Sequence, residues 1–276
     1  MNTTCNLIDR LDAAIEVARL VGTKLEAADL SRRDENIKGH NDIVTIYDKL
    51  AEHTIITSLH EKFPDDTFFG EEGGSVEFEQ HDEKLSSGRW IIDPIDGTAN
   101  FTRGIKEYAV SIAFEFEKNS PVLGVVYAPK RNELFTAVKG QGAFLNNNKI
   151  QVSDISDPAH AMTIFAFPFR RHDLYASFLQ YLHQIFQQTH DLRDFGSAAL
   201  HLCFVASGKA EAFVEYALGY YDIAAGMVIL QEAGGSISSY DPSIPVAEKC
   251  DVIATNSLLH DWYVSTVRNN LLIAHS

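Results

Sequence analysis

Apolar residues near the start of the chain recur at steps of three, four and seven: Leu7, Leu11, Ile15, Ala18 and Leu25. That is the period of a helix with one buried face, so residues 7–30 are predicted as one amphipathic helix. A second is predicted from Ile46 to Phe63, with Leu50, Leu59 and either Thr54 or Ile55 on one side. Pro64-Asp65-Asp66 ends it, and Phe68-Phe69 leads into Gly70-Glu71-Glu72. Residues 73–88, GGSVEFEQHDEKLSSG, are polar and read as an exposed, mobile loop. Trp90–Ile92 reads as a short buried strand. Strand-like runs follow at Ala109–Phe116, Val122–Tyr127, Glu133–Val138 and Ala143–Leu145. LNNNKI, residues 145–150, reads as a hairpin turn with Asn at left-handed positions.

The second half changes character. Met162–Phe167 is strand-like and Leu174–Gln187 helical. Ser197–Ser207 is predicted as a helix that Gly208 stops. Ala212–Glu215 reads as a strand, and Asp222–Ala233 as a helix followed by Gly234-Gly235. Ser236–Ser239 and Val252–Ala254 read as strands and Leu258–Arg268 as a last helix. Helices and antiparallel-looking strands alternate in blocks, so the class is mixed α and β. No internal repeat or low-complexity linker interrupts them.

Composition narrows the partners. The 276 residues are 45% hydrophobic and 22% charged, the balance of a globular protein with a substantial core. Net charge is -15, from 38 acidic and 23 basic residues. Such a field repels nucleic acid and anionic membrane, so neither is expected as a partner. It also repels a phosphorylated substrate unless bound cations reverse the sign locally. The cysteines Cys5, Cys203 and Cys250 are odd in number and lack CxxC spacing, which fits a reduced, cytoplasmic setting, with Cys203 a small core residue. Asp9, Arg10, Asp12, Glu16 and Arg19 break any signal-peptide core, and no run of 18 apolar residues predicts a membrane span.

Three segments bring acid to a glycine-marked turn: Gly70-Glu71-Glu72, the pair Asp93 and Asp96 in IIDPIDGTANF, and Asp222 at a helix start. Hard divalent cations such as Mg²⁺ take oxygen ligands of this kind. Pro94 fixes the backbone between the aspartates, which can turn Asp93, Asp96 and the Ile95 carbonyl toward one centre. Gly97-Thr98 then opens a helix or turn whose N–H groups can receive a phosphate. Each feature also has an ordinary reading. Asp93 and Asp96 can be turn residues, Asp222 an N-cap, and Glu71-Glu72 a solvated corner. Other chemistries fail on pattern: there is no His-Glu-x-x-His, no Walker loop and no EF-hand spacing. KGQGAF is not GxGxxG, and Gly196-Ser197-Ala198-Ala199 is not a nucleophile elbow.

The set Gly-Glu-Glu, WIIDPIDGTANF and YYDIAAGMVILQEAGG resembles the inositol monophosphatase family of metal-dependent sugar phosphatases, over roughly residues 7–268. The resemblance implies an α/β (α+β) fold, a layered α-β-α-β-α sandwich. It implies one unit over 1–276, with an N-terminal part about 1–150 and a C-terminal part about 151–276. It implies that Glu71, Asp93 and the Ile95 carbonyl hold a first Mg²⁺, that Asp93, Asp96 and Asp222 hold a second, and that a third shares Glu71. By the same resemblance the backbone of Gly97 and Thr98 binds phosphate. Asp48 pairs with Thr98 to polarise the attacking water, with Lys38, Asp42, Val44 and Thr45 at the family's spacing upstream. Glu71 and Thr98 thereby join Asp48 as catalytic candidates. Gly196, Ser197 and Ala198 would touch substrate hydroxyls, and Glu215 would accept one.

The implied reaction is Mg²⁺-dependent hydrolysis of a small polyol phosphate, first of all inositol 1-phosphate, by a homodimer. The alternatives are fructose 1,6-bisphosphate, NADP, 3′-phosphoadenosine nucleotides or histidinol phosphate, or a regulatory protein on a retired phosphatase fold. Three positions depart from common family patterns: Tyr221 where Trp is usual, His201 where Asp is frequent, and Ala166 where Gly is frequent. These put substrate identity in question rather than catalysis. Arg170-Arg171-His172 reads either as a seat for a second phosphate or as a solvated turn.

Overall fold

The first helix buries a stripe of small residues, Ala13, Ala14, Val17, Ala18 and Val21, while Leu7, Leu11 and Ile15 flank it half-buried. The chain is described by a computed structural model over residues 3–30, 36–39, 42–76, 87–168 and 171–274. Its elements are α1 (Thr3–Glu26), β1 (Asn36–Gly39), β2 (Asp42–Val44), α2 (Ile46–Lys62), β3 (Thr67–Gly70), β4 (Gly74–Val76), β5 (Arg89–Asp96), α3 (Thr98–Thr102), β6 (Ala109–Glu117), β7 (Ser120–Ala128), β8 (Glu133–Val138), β9 (Gly142–Leu145) and β10 (Asn148–Ile150). Then come β11 (Met162–Phe165), α4 (Tyr175–Gln188), β12 (Asp191–Arg193), α5 (Ala198–Ala206), β13 (Ala212–Glu215), α6 (Tyr220–Glu232), β14 (Ser236–Ser238), α7 (Val246–Lys249), β15 (Val252–Thr255) and α8 (His260–Ala274).

Two layers of sheet and three of helix result among the described residues, with β1 and β2 as a separate two-stranded sheet. The larger sheet has the order β10-β9-β8-β7-β6-β5-β3-β4, and the smaller β12-β11-β13-β15-β14. On one face of the larger sheet lie α1 and α2, whose apolar residues meet Trp90, Ile92, Ile112 and Phe114. On its other face lie α5 and α6, packed against the opposite-facing Ile91, Ala113 and Val126. The same helices cover the inner face of the smaller sheet, and α4 and α8 cover its outer face with Phe178, Tyr181, Ile185 and Tyr263. This is the α-β-α-β-α sandwich. Strands between two helical layers must be apolar on both faces, which is why β5 and β6 read as continuous apolar runs rather than alternating ones. Gly124 in β7 lets the sheet approach the α6 backbone at Ala225, where a Cβ would collide with the Ala225 carbonyl.

Several expectations need correction. Leu50 is 58% exposed; the buried face of α2 runs instead through Asp48, Ala51, Glu52, Ile55, Ile56 and Leu59. The predicted loop 73–88 contains β4, paired antiparallel to β3, while residues 77–86 lie outside the described residues. Not every strand is antiparallel: β3 runs parallel to β5, and β11 parallel to both β12 and β13. The short strand at Trp90–Ile92 extends through both aspartates to Asp96. Asn146 and Asn147 do take left-handed φ values of 48° and 66° in the β9–β10 hairpin, as the LNNNKI reading expects.

Candidate active site

Asp93 and Asp96 are three residues apart, a spacing that in a regular strand sends side chains to opposite faces. Opposite them, β6 advances only two residues: Asp93 faces Ser111 and Asp96 faces Ala109. The extra residue makes a bulge, and Pro94, which has no N–H for the ladder, sits inside it. The bulge re-aims both carboxylates to one side. Asp222 comes to meet them from the first turn of α6. There it is the third helical residue and not the cap: the Gly219 N–H donates to its Oδ2 at 2.6 Å, a capping-box contact. Ligand-capable oxygens of Asp93, Asp96 and Asp222 lie within 4.8 Å of one another, and all three residues are buried.

Three buried carboxylates that close repel. Burial first, and then the charges of Glu71, Asp96 and Asp222, hold the Asp93 carboxyl well above the usual carboxylate range. Burial and the Asp222 charge raise Asp96 in the same way, against the donors it accepts. Oxygen-only donors and dense negative charge, with no Lys or Arg among the described lining residues, fit a hard divalent cation. Glu71 follows the end of β3, where its N–H donates to the Ile92 carbonyl at 3.2 Å and places it beside Asp93. Glu71 and Ile95 line the same cavity as the three aspartates.

Asp96 also ties the two halves of the chain together. It accepts Ser197 Oγ–H at 2.6 Å, the Ala198 N–H at 3.2 Å and the Ala199 N–H at 2.7 Å. A carboxylate from β5 thus caps α5 from across the molecule, where it also meets the helix dipole. Ser197 occupies the cap position, but its hydroxyl donates to Asp96 and caps nothing. The donors of Ser197 and Ala198, expected at substrate hydroxyls, are directed at Asp96 here. Gly196 lies at φ 75° and Gly97 at φ 92°, and a Cβ on Gly97 would stand 2.9 Å from the Gly196 carbonyl. Asn100, which sequence reading missed, stitches this approach: its Nδ2 donates to the Glu107 and Phe195 carbonyls, each at 2.6 Å. Nothing in the sequence marks it out, since α3 reads Thr-Ala-Asn-Phe-Thr, with polar residues on either side of Asn100.

Asp48 is the third residue of α2 and completes a capping box. It accepts the Thr45 N–H at 2.7 Å and the Thr45 hydroxyl at 2.6 Å on Oδ2. Its other oxygen accepts the Thr98 hydroxyl at 2.9 Å. Asp48 is thus a residue of the first turn of α2 and the partner of Thr98 at once, and it is fully buried rather than solvated. Burial raises its pKa, against these three donors. Lys38, Asp42 and Val44 fall in the β1–β2 hairpin, and their side chains lie outside the described residues.

A cavity of about 540 Å³ opens from the acid cluster toward Ala166, Phe167, Tyr175, Asp194, His201, Glu215 and Leu218. No Lys or Arg is among its described lining residues. Arg171 pairs with Asp173 at 2.7 Å and does not line it, which fits a solvated turn, while Arg170 lies outside the described residues. Tyr221 packs its ring toward Phe69, centroids 6.1 Å apart. The preceding Tyr220 donates to the buried Glu115 at 2.7 Å, and Arg89 donates to the same carboxylate at 2.8 Å, fixing the first turn of α6 and so Asp222. Sequence reading missed this support too, because Tyr220 and Glu115 lie 105 residues apart.

The sequence model of the inositol monophosphatase family matches residues 7–272. A curated relative from Pasteurella multocida, named Nus factor SuhB, is 39% identical over 234 residues, covering 84% of this chain and 85% of its own length. The crystal structure of extragenic suppressor protein suhB from Bartonella henselae superposes with a TM-score of 0.87 at 31% identity, over 94% of this chain and 98% of that one. The IMPase of Thermotoga maritima superposes with a TM-score of 0.82 at 34% identity, over 95% of this chain and 98% of the other.

Proposed function

We propose, from the premise that the chain belongs to the inositol monophosphatase family, that it is a Mg²⁺-dependent phosphatase of small polyol phosphates, with inositol 1-phosphate as first substrate. The observation that carries this reading is the buried triad of Asp93, Asp96 and Asp222 beside the Thr98–Asp48 pair, at the mouth of a cavity with the volume of a small-molecule site. Glu71, Asp93 and the Ile95 carbonyl would hold one ion, and Asp93, Asp96 and Asp222 another, so that Asp93 bridges. Divalent cations held there neutralise the phosphoryl oxygens and acidify water, which monoester hydrolysis needs because its uncatalysed rate is among the slowest known.

The chain's own groups do the rest. The backbone N–H groups of Gly97 and Thr98, at the start of α3, meet the phosphate. Thr98 donates its hydroxyl hydrogen bond to Asp48, which leaves its oxygen lone pairs to accept a hydrogen bond from water and orient it for attack. Glu71 adds a second acceptor on the water's side. At the far end, Glu215 and Asp194 accept hydroxyl protons. Two carboxylates and no described base favour an uncharged polyol there over a second phosphate. A cytoplasmic homodimer completes the reading.

The test is kcat/KM for inositol 1-phosphate, fructose 1,6-bisphosphate, NADP, a 3′-phosphoadenosine nucleotide and histidinol phosphate, each with and without Mg²⁺. Inositol 1-phosphate should lead, and only with Mg²⁺. A preference for a bisphosphate by tenfold or more sinks the substrate assignment. A second reading, favoured by the name Nus factor SuhB on several relatives, is a regulatory protein on this fold with a transcription-factor partner. No turnover of any ester in Mg²⁺ would support that reading.

A further inference from the structure

Ser111, in β6, is 1% exposed, and its hydroxyl has no hydrogen-bond partner among the described residues. Buried polar groups are almost always met. The strand fixes where this one points. Side chains along a strand alternate between its two faces. Ile112 packs with α1 and α2, whereas Ala109 and Ala113 pack with α5 and α6, so Ser111 faces α5 and α6 as well. The alternation is regular here, because the extra residue of the bulge belongs to β5 and not to β6. Two residues stand directly opposite Ser111: Val126 on β7 and Asp93 on β5. Residues paired in this way share a face, with Cβ atoms about 4.5–5.5 Å apart. Of the two side chains, only that of Asp93 offers an acceptor.

Asp93 is also the less supported of the two aspartates on β5. Asp96 accepts three donors, from Ser197, Ala198 and Ala199. Asp48, on α2, likewise accepts three, two from Thr45 and one from Thr98. Asp93 accepts a single N–H, that of Ile95 at 3.0 Å, and otherwise meets the Asp222 carboxyl. An ionised carboxylate only accepts, so Asp222 in that form brings Asp93 no donor. Carboxylates that hold a metal are themselves held by donors behind them, which fix their orientation. Rotation about one side-chain torsion swings the Ser111 hydroxyl between staggered positions. We propose that Ser111 is a positioning residue, whose hydroxyl donates to the Asp93 carboxylate when that carboxylate holds a cation. This rests on the cation reading above and goes beyond it: Ser111 does not line the cavity, so it acts through Asp93 and not on substrate.

Calorimetric titration of Mg²⁺ into the full chain, with no substrate present, tests this apart from turnover. Ser111→Ala should weaken Mg²⁺ binding about tenfold to a hundredfold, the loss typical of a donor behind a metal ligand. The metal-free Tm of the same variant should hold or rise, because an unmet buried hydroxyl is removed. A merely structural role gives the opposite pair, a lower metal-free Tm and an unchanged affinity. Ser111→Thr keeps the hydroxyl on a residue suited to a strand, and should bind Mg²⁺ within about threefold of the wild type. In turnover, Ser111→Ala should need more Mg²⁺ for its half-maximal rate, while kcat at saturating Mg²⁺ stays within a few-fold of the wild type. Mg²⁺ affinity unchanged in Ser111→Ala overturns the proposal. A loss that Ser111→Thr, melting as the wild type does, fails to recover overturns it as well, since the hydroxyl would then not be what matters. Wild-type protein that binds no Mg²⁺ would sink the cation reading and this proposal together. Wild type and Ser111→Ala binding Mg²⁺ equally well would sink the proposal alone.

Discussion

Thr98 has one hydroxyl proton and two acceptors for it: Asp48 Oδ1 at 2.9 Å and the Ile95 carbonyl at 3.0 Å. Only the first is a carboxylate, and a charged acceptor makes the stronger bond. Thr98→Ala removes the hydroxyl and should lower kcat about a hundredfold to a thousandfold with KM within a few-fold, the range for one positioned acid–base group. Asp48→Asn keeps a carbonyl for Thr98 but removes the charge, and should cost about tenfold to a hundredfold. Single-turnover phosphate release checks both, and a Thr98→Ala variant within about threefold of wild type removes this pair from the mechanism. At this scale the acids were legible in the sequence, because Asp-Pro-Ile-Asp-Gly-Thr joins ligand types to turn chemistry in six adjacent residues. Asn100, Glu115 and Ser197 as a donor to Asp96 were not. Their roles depend on partners brought together by folding, Ser197 and Asp96 being 101 residues apart.

Among the elements, α1 is fastened to the strands that carry the site by a buried ion pair. Arg10 donates to both oxygens of Asp66 at 3.0 and 2.8 Å, and Trp90 and Ser87 add donors at 3.0 and 2.6 Å. The guanidinium lies between Phe63 and Phe114, 4.6 and 4.5 Å from their ring centroids. Arg10→Ala leaves the fully buried Asp66 carboxylate without its counter-charge. It should lower unfolding free energy by about 3–5 kcal/mol, measured by urea denaturation. A loss under about 1 kcal/mol would mean that Ser87 and Trp90 alone suffice. In the sequence Arg10 read only as an interruption of a signal-peptide core. The helix itself was found by its period, but the buried stripe is one of alanine and valine rather than leucine. Alanine and valine let α1 lie close to the sheet, whereas a hydrophobic count weighs large residues most. The same logic hid the parallel pairing of β3 with β5. Pairing direction depends on the connection between strands, which apolar runs do not report.

For the whole molecule, net charge is -15, and six carboxylates line the candidate site: Glu71, Asp93, Asp96, Asp194, Glu215 and Asp222. Without metal, the raised carboxyls of Asp93 and Asp96 bind protons more tightly in the folded than in the unfolded chain. Stability is then fullest below the unfolded value of 3.8 and declines as pH rises through the folded value of Asp96, about 7. Metal-free protein should therefore melt lower at pH 8 than at pH 5, and added Mg²⁺ should raise Tm more at pH 8, where fewer protons compete for the ligands. Calorimetry across that range checks the sign. A metal-free Tm that climbs with pH contradicts the repulsive cluster. Asp93→Asn removes one of the repelling charges while keeping an acceptor for the Ile95 N–H, 3.0 Å away. In metal-free protein at pH 8 it should raise Tm by about 2–4 °C.

The most direct measurement sets that variant beside the wild type: release of phosphate from inositol 1-phosphate, titrated with Mg²⁺. Wild-type protein should turn over only as Mg²⁺ is added. Asp93→Asn should stay at least about a thousandfold slower at every concentration, with weakened Mg²⁺ binding. Metal-independent release, or an Asp93→Asn enzyme near wild-type rate, would contradict a hydrolysis that runs on cations held by Asp93, Asp96 and Asp222.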